Sequence, residues 1–247
     1  MQENAVADLN QNWIPEPFQS SADALSADAV SKYVKEGSII GLGSGPMAAA
    51  AVRAMGNFPG KKSLRCIATS QQIKLEAIRE GLELIDEYRM PEIDVVFDGA
   101  DEIDSQLNMI KGGGGALLRE KVVHSAAKMI VIAAESSKFV QKFTWPVPIE
   151  VHPFAISIVS NELTEKGGHP KMRMLKEGYP YITENGNLIF DTHFDLASVD
   201  IPKKEIELRS IPGIQEVGLF SKKANVYYKA KTDGTFEAIE ARKNELS

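Results

Sequence analysis

The sequence predicts an α/β protein: a mostly parallel sheet with helices on both faces, followed by a small antiparallel α+β unit. Three observations carry that expectation. Short apolar runs alternate with helical segments from Ile39 to Ala134, as buried parallel strands require. Three loops rich in glycine or carboxylates each come directly after such a run. Near Pro146 the alternation gives way to closely spaced short strands, two of them joined by the hairpin signal Asn185-Gly186.

Residues 1–21 are expected to form an arm, polar and punctuated by Pro15 and Pro17. Ser20 or Ser21 is a candidate cap for a helix that lines up Leu25, Ala29, Val30, Tyr33 and Val34 and closes at Gly37. Ile39-Ile40 begins a strand that runs into Gly41-Leu42-Gly43-Ser44-Gly45. Pro46 then suits the first position of a helix reaching Met55, where its missing N–H matters least. A strand at 64–68, a helix after Ser70 closing at Gly81, and strands at 82–85 and 93–97 follow. A helix at 116–127 leads into a strand at 129–134. Beyond Pro146 come a strand at 147–151, a helix at 153–165 broken by Gly167-Gly168, and strands at 172–175, 181–183 and 188–191. A helix at 203–209 and a strand at 215–219 complete this unit, and a strand at 226–229 returns to the main sheet. The expected domains are the arm, a catalytic domain of residues 22–148 and 221–247, and a lid of residues 149–220.

Composition narrows the function without naming it. The 247 residues are 43% hydrophobic and 25% charged, ordinary for a chain that buries its own core. A net charge of −6 offers phosphate backbones no positive face, so no nucleic-acid partner is expected. No apolar run approaches the roughly 20 residues that cross a bilayer, so no membrane partner is expected. The start MQENAVADLNQNWIPEPF has neither the basic nor the apolar stretch of a secretory signal. Cys66 is the sole cysteine, which rules out an intramolecular disulfide and fits a reducing, cytoplasmic setting. His124, His152, His169 and His193 never fall at helical ligand spacing, so no metal site is expected.

The three loops hold the residues that can do chemistry, at the carboxyl ends of strands where open α/β sheets bind ligands. In the first, Pro46 stands where a dinucleotide fingerprint needs its third glycine, and no Gly-Lys-Ser/Thr follows to make a P-loop. What remains is either a tight strand-to-helix turn or a phosphate cradle of backbone N–H groups at a helix N-terminus. The second, Asp98-Gly99-Ala100-Asp101-Glu102-Ile103-Asp104, reads either as a solvated acidic loop or as carboxylates at a sheet rim placed to bind sugar hydroxyls; its glycine is misplaced for a calcium loop. The third, Lys111-Gly112-Gly113-Gly114-Gly115, sits between apolar Met109-Ile110 and a helix, so it is no linker and lets backbone approach a ligand. Lys111 brings a cation, and Glu120 projects from the helix beyond, unless it is merely a surface residue. An anion cradle, hydroxyl-binding carboxylates, a cation and one glutamate suit proton transfer on a phosphorylated polyol better than hydride or phosphoryl transfer.

At these loops the sequence closely resembles the type A ribose-5-phosphate isomerases. The resemblance rests on Asp98-Gly99-Ala100-Asp101-Glu102, on Lys111-Gly112-Gly113-Gly114 with Glu120-Lys121, and on Gly41-Leu42-Gly43-Ser44-Gly45. Further matches are Glu150-Val151 before Pro153, Thr183 with Asn185-Gly186-Asn187, Ile211-Pro212-Gly213, and Gly218-Leu219-Phe220, so that it covers the chain from about residue 22. It implies a Rossmann-like catalytic domain with a ferredoxin-like lid. It also implies interconversion of ribose 5-phosphate and ribulose 5-phosphate through an enediolate, without cofactor or metal, in a homodimer or homotetramer. By motif position Glu120 is the base, Asp98 and Asp101 bind hydroxyls and assist ring opening, and Lys111 stabilises the enediolate. The substrate-binding set is Ser44, Gly45, Pro46, Met47, Asp98, Gly99, Ala100, Asp101, Lys111, Gly112, Gly113, Gly114 and Lys138.

One loop departs from the family pattern. Family members usually carry hydroxyl residues where this chain has Pro46 and Met47, and a lysine in the N-terminal helix where this chain has none near Asp23 and Ala24. Charge-assisted contacts to phosphate are worth roughly 1.5–3 kcal/mol each, so the phosphate grip is expected to be weakened: either other residues hold the phosphate, or the chain is an isomerase-like protein acting on another sugar or sugar phosphate. Two other classes compete: a non-catalytic sugar-phosphate sensor, for which no helix-turn-helix with a basic face is present, and acyl transfer with a glutamate nucleophile, against which the DGADE and KGGGG loops speak.

Overall fold

A computed structural model describes residues 14–86, 88 and 91–241. They fall into two compact units that interleave along the chain. The first holds the described residues up to Gly99 with 122–136 and 224–241; the second holds 100–121 and 137–223. Residues 100–121, 137–148 and 221–223, placed with the first domain by the sequence reading, cluster with the second.

The first unit is built on a seven-stranded sheet. β1 (Ile39–Leu42), β2 (Arg65–Ala68), β3 (Glu83–Leu84), β4 (Ile93–Asp98), β7 (Ala127–Glu135), β13 (Val226–Ala230) and β14 (Phe236–Glu240) lie in the order β14-β13-β7-β4-β1-β2-β3. All neighbours are parallel except the edge hairpin β13–β14. Helices α1 (Gln19–Tyr33), α2 (Gly45–Gly56) and α3 (Gln71–Arg79) connect or cover the strands. Leu25, Val30, Leu42, Val52, Met55 and Phe97 join one apolar cluster, and Ile67, Ile93, Val96 and Val123 form another. Fully burying such side chains is worth about 1.5–3 kcal/mol each, which fixes an apolar strand more firmly than local propensity does. Strand order reverses at β1, flanked by β2 and β4, and the pairing of Leu42 with Phe97 brings the two following loops side by side. That is the switch point at which open sheets bind ligands.

The second unit holds two antiparallel sheets. β8 (Val147–Val151), α5 (Ile156–Glu165), β9 (His169–Met172), β10 (Leu188–His193), α6 (Ile201–Arg209) and β11 (Ile214–Val217) follow one another as β-α-β-β-α-β, with sheet order β11-β8-β10-β9. That is the ferredoxin-like arrangement, packed around Val147, Ile149, Val151, Val159, Leu163 and Leu208. A smaller sheet orders β12 (Leu219–Phe220), β6 (Met109–Ile110) and β5 (Glu102–Ile103). The α/β class and the mostly parallel sheet are as the sequence predicts. Among the described residues no helix is long and apolar enough to cross a membrane.

The differences are local and have physical reasons. Ser20 and Ser21 do not cap α1: a 3-10 turn at Glu16–Phe18 leads into it, and buried Ser21 donates to the Phe18 carbonyl at 3.0 Å. Of the arm, residues 1–13 lie outside the described residues, while Ile14 is buried. The strand expected at 215–219 is two, β11 and β12, split at Gly218. There the N–H donates to Pro148 (2.7 Å) and the carbonyl accepts from Lys111 (2.9 Å), so the chain changes sheets. The strands expected at 172–175 and 181–183 shift to β9 and shrink to isolated bridges, although the Thr183–Asn187 turn closes as predicted. Strands β5, β6 and β14 have no counterpart in the sequence reading.

Candidate active site

In the first unit the glycine loop and Asp98 form one structure. Asp98 ends β4 and is 2% exposed. Its Oδ1 accepts N–H bonds from Ser44 (3.2 Å) and Gly99 (2.7 Å), and its Oδ2 lies 2.8 Å from His124 Nε2. A Cβ on Gly43 would overlap the Asp98 carboxyl, so glycine is required there. Pro46 takes the second position of α2 rather than the first, after Gly45, whose N–H faces Gln72 Oε1 at 3.3 Å. Ser44, Gly45 and Pro46 are half-buried at the rim. The Met47 side chain is not among them: it is 3% exposed, within the apolar cluster of α1 and α2. Met47 is the third residue of α2, on the helix face that meets the core.

In the second unit the other two loops meet. Asp101 Oδ2 accepts the Gly113 N–H at 2.7 Å, and a Cβ on Gly113 would stand 2.6 Å from Asp101 Oδ1. Burial pushes the Asp101 carboxyl above the ordinary range; the Gly113 N–H, Lys111, Lys138 and Arg173 pull against it. Arg173 Nη1 donates to the Gly112 and Gly113 carbonyls, both at 3.0 Å, and Tyr181 donates to the Gly114 carbonyl at 3.0 Å, so the glycine loop is clamped. Gly112 needs its freedom, with φ at 102°. Ala100 is buried, and Lys138 ends a 3-10 turn at Ser136–Lys138. The other carboxylates of the acidic loop are structural. Glu102 Oε2 accepts from the Thr144 and Trp145 N–H groups (2.7 and 2.9 Å), and Asp104 caps its own turn through Gln106 and Asn108.

The second unit also holds a buried acid–cation pair. Lys111 Nζ is 3.3 Å from Glu120 Oε2, each side chain 3% exposed, and Lys111 faces the Phe220 ring with 5.5 Å to its centroid. Glu120 sits in the first turn of α4 (Leu117–Ser125), where the helix N-terminus favours a negative charge. On either side of Glu120 the helix is pinned. Arg119 binds Asn185 and Glu184, and Lys121 binds Glu205 and Glu216 and the carbonyls of Val217 and Leu219. Glu150 Oε1 gathers Thr183, Asn185 and Asn187, which explains those motif positions as one internal tie.

A family model for ribose 5-phosphate isomerase A (phosphoriboisomerase A) matches residues 65–234. The chain belongs to the ribose 5-phosphate isomerase A family. A ribose-5-phosphate isomerase of Dictyostelium discoideum is 40% identical over 214 residues, 84% of this chain and 92% of that protein. The ribose 5-phosphate isomerase A structure from Methanocaldococcus jannaschii superposes with a TM-score of 0.82 at 33% identity, over 89% of this chain and 98% of the other. A D-ribose-5-phosphate isomerase solved in complex with phospho-erythronic acid superposes equally, at 32% identity and with the same coverage.

Sequence reasoning for the isomerase loops missed His124, Arg173 and Tyr181. His124 lies on β4's covering helix, and only the three-dimensional pairing with Asp98 reveals it. Arg173 and Tyr181 come from the lid-like segment near β9, and glycines at positions 112–115 were the one signal that something must hold their backbone.

Proposed function

We propose that this chain interconverts ribose 5-phosphate and ribulose 5-phosphate, with Glu120 as the base that moves a proton between C2 and C1. The buried Lys111–Glu120 pair carries the reading. In the open-chain aldose, the Glu120 carboxylate takes the C2 proton, and the electron pair moves through the C1–C2 bond onto O1. Lys111 faces the growing negative charge, as a fixed donor in a dry site should. The O2 proton passes to O1, Glu120 returns its proton to C1, and C2 becomes the ketone; nothing is oxidised or reduced overall. A base already paired with the cation that meets the product charge needs little reorganisation.

The two aspartates divide the remaining work. Asp98 accepts the Ser44 and Gly99 N–H groups and lies 2.8 Å from His124 Nε2, an accepting role that suits sugar hydroxyl protons. Asp101, pushed upward by burial, holds a proton more readily than a free carboxyl and suits the acid–base step of ring opening. Ser44, Gly45 and Pro46, at the α2 N-terminus, are assigned to the phosphate, and Lys138 supplies a further positive charge beside Asp101. The test is a direct assay of ribulose 5-phosphate formation with Glu120→Gln as control. Turnover by the parent that the variant lacks supports the reading; equal turnover by both removes it.

A further inference from the structure

We propose that His124 is the positioning residue of Asp98. The observation is a buried contact that no motif announces: His124 is 3% exposed, and its Nε2 lies 2.8 Å from Asp98 Oδ2. Ser44 and Gly99 both donate to Oδ1, and His124, donating through Nε2–H, holds the other oxygen, Oδ2, so it helps to fix rotation about the Asp98 Cβ–Cγ bond. Gly43 leaves space for the carboxyl and cannot itself orient it. These donors come from different elements, the loop before α2, the end of β4 and helix α4, so they hold the carboxyl from different sides.

The contact spans 26 residues of sequence and joins two side chains from opposite ends of a β-α passage. Val123, next to His124, packs on Ile93 and Val96 of β4, which seats the helix so that the imidazole meets the strand's end. Any buried imidazole needs a partner for its N–H; what marks this one is that its partner is the carboxylate at the end of β4 that the Ser44 and Gly99 N–H groups also hold. A histidine so placed orients a functional carboxylate, as the partners behind catalytic groups do. The inference rests on the reading that Asp98 binds a substrate hydroxyl.

The experiment compares His124→Leu, His124→Gln and Asp98→Asn, singly and His124→Leu combined with Asp98→Asn, in the ribose 5-phosphate assay. Leucine keeps bulk and removes the donor; glutamine carries an amide nitrogen to the Nε2 position. A hydrogen bond to a charged group is worth about 10- to 100-fold, so His124→Leu should lose that much in kcat/KM. His124→Gln should recover to within about threefold of the parent. In the Asp98→Asn background the leucine change should cost less than about twofold, because the group it positions is already gone. Parent-like activity of His124→Leu alongside a dead Asp98→Asn overturns the proposal and leaves the Asp98 reading standing. Equal losses with and without the Asp98 carboxylate overturn it too, since they report packing. Parent-like activity of Asp98→Asn removes the underlying reading instead, and with it the proposal. Should His124→Leu fail to fold, His124→Asn replaces it: its amide reaches only the Nδ1 position, so activity well below the glutamine variant supports the proposal, and equal activity overturns it.

Discussion

Lys111 Nζ and Glu120 Oε2 stand 3.3 Å apart with both side chains almost wholly withdrawn from solvent. A pair in that position is costly to break, because either partner alone is a buried uncompensated charge.

Lys111→Met should therefore destabilise the protein by about 3–5 kcal/mol, and Glu120→Gln should also lose stability. The double change Lys111→Met with Glu120→Met should recover most of that loss while remaining inactive, since apolar replacements of a buried pair are often neutral. Urea unfolding and the isomerase assay on the four proteins check this. Glu120→Gln should lower kcat about 10²–10⁴-fold. Exhaustive EDTA treatment should cost less turnover than Lys111→Met does.

Asp101 gives a pH signature. Burial raises its folded pKa, so the folded state favours the protonated form. Below about pH 3.9 the group is protonated folded and unfolded alike, and it costs nothing. As pH rises, the unfolded chain ionises first, and the cost is complete once pH passes the folded value. Asp101→Asn, which still accepts the Gly113 N–H, should thus be more stable than the parent near neutrality, with the gain vanishing in acid. Thermal unfolding across pH measures it, and a gain independent of pH would contradict the assignment.

The loops were legible because glycine and carboxylates directly after apolar strands leave few alternatives, and Gly43 and Gly113 prove to be where carboxylates need the space of a missing Cβ. The pairing of Asp98 with His124 was not legible, since His124 sits in a helix with no spacing cue to its strand partner. Gly218 read as an interior strand residue because a chain passing between two sheets keeps its apolar pattern. The burial of the Met47 side chain was not legible for a related reason. Counting along a loop says nothing about which face of the following helix a residue takes.

A glycine pair tests close approach separately from backbone strain. Gly113→Ala puts a Cβ 2.6 Å from Asp101 Oδ1 and should push that carboxyl off the Gly113 N–H, lowering kcat/KM about tenfold or more. Gly186→Ala meets no atom within 4 Å but holds φ at 79°, so it should cost about 1–2 kcal/mol of stability and leave turnover unchanged. Kinetics and unfolding of both variants should separate cleanly, and a stable, fully active Gly113→Ala would count against Asp101 as a site residue.

Pro46 and Met47 replace hydroxyl residues in the same motif, yet the structure gives them opposite expectations. Pro46 is half-buried in the first turn of α2, where serine would add an N–H and a hydroxyl at a helix N-terminus. Met47 is 3% exposed among apolar side chains, so threonine there would shrink the core and bury a hydroxyl rather than present one. Pro46→Ser should lower KM for ribose 5-phosphate several-fold, at about 1 kcal/mol or more per recovered hydrogen bond, with kcat little changed. Met47→Thr should leave KM where it is and cost about 2 kcal/mol or more of stability. Steady-state kinetics on ribose 5-phosphate and on free ribose, beside urea unfolding, distinguish the two. A KM gain confined to the phosphorylated sugar in Pro46→Ser places the phosphate at this helix. No gain means the phosphate is held elsewhere, and a KM gain in Met47→Thr would mean that the side chain leaves the core when substrate binds.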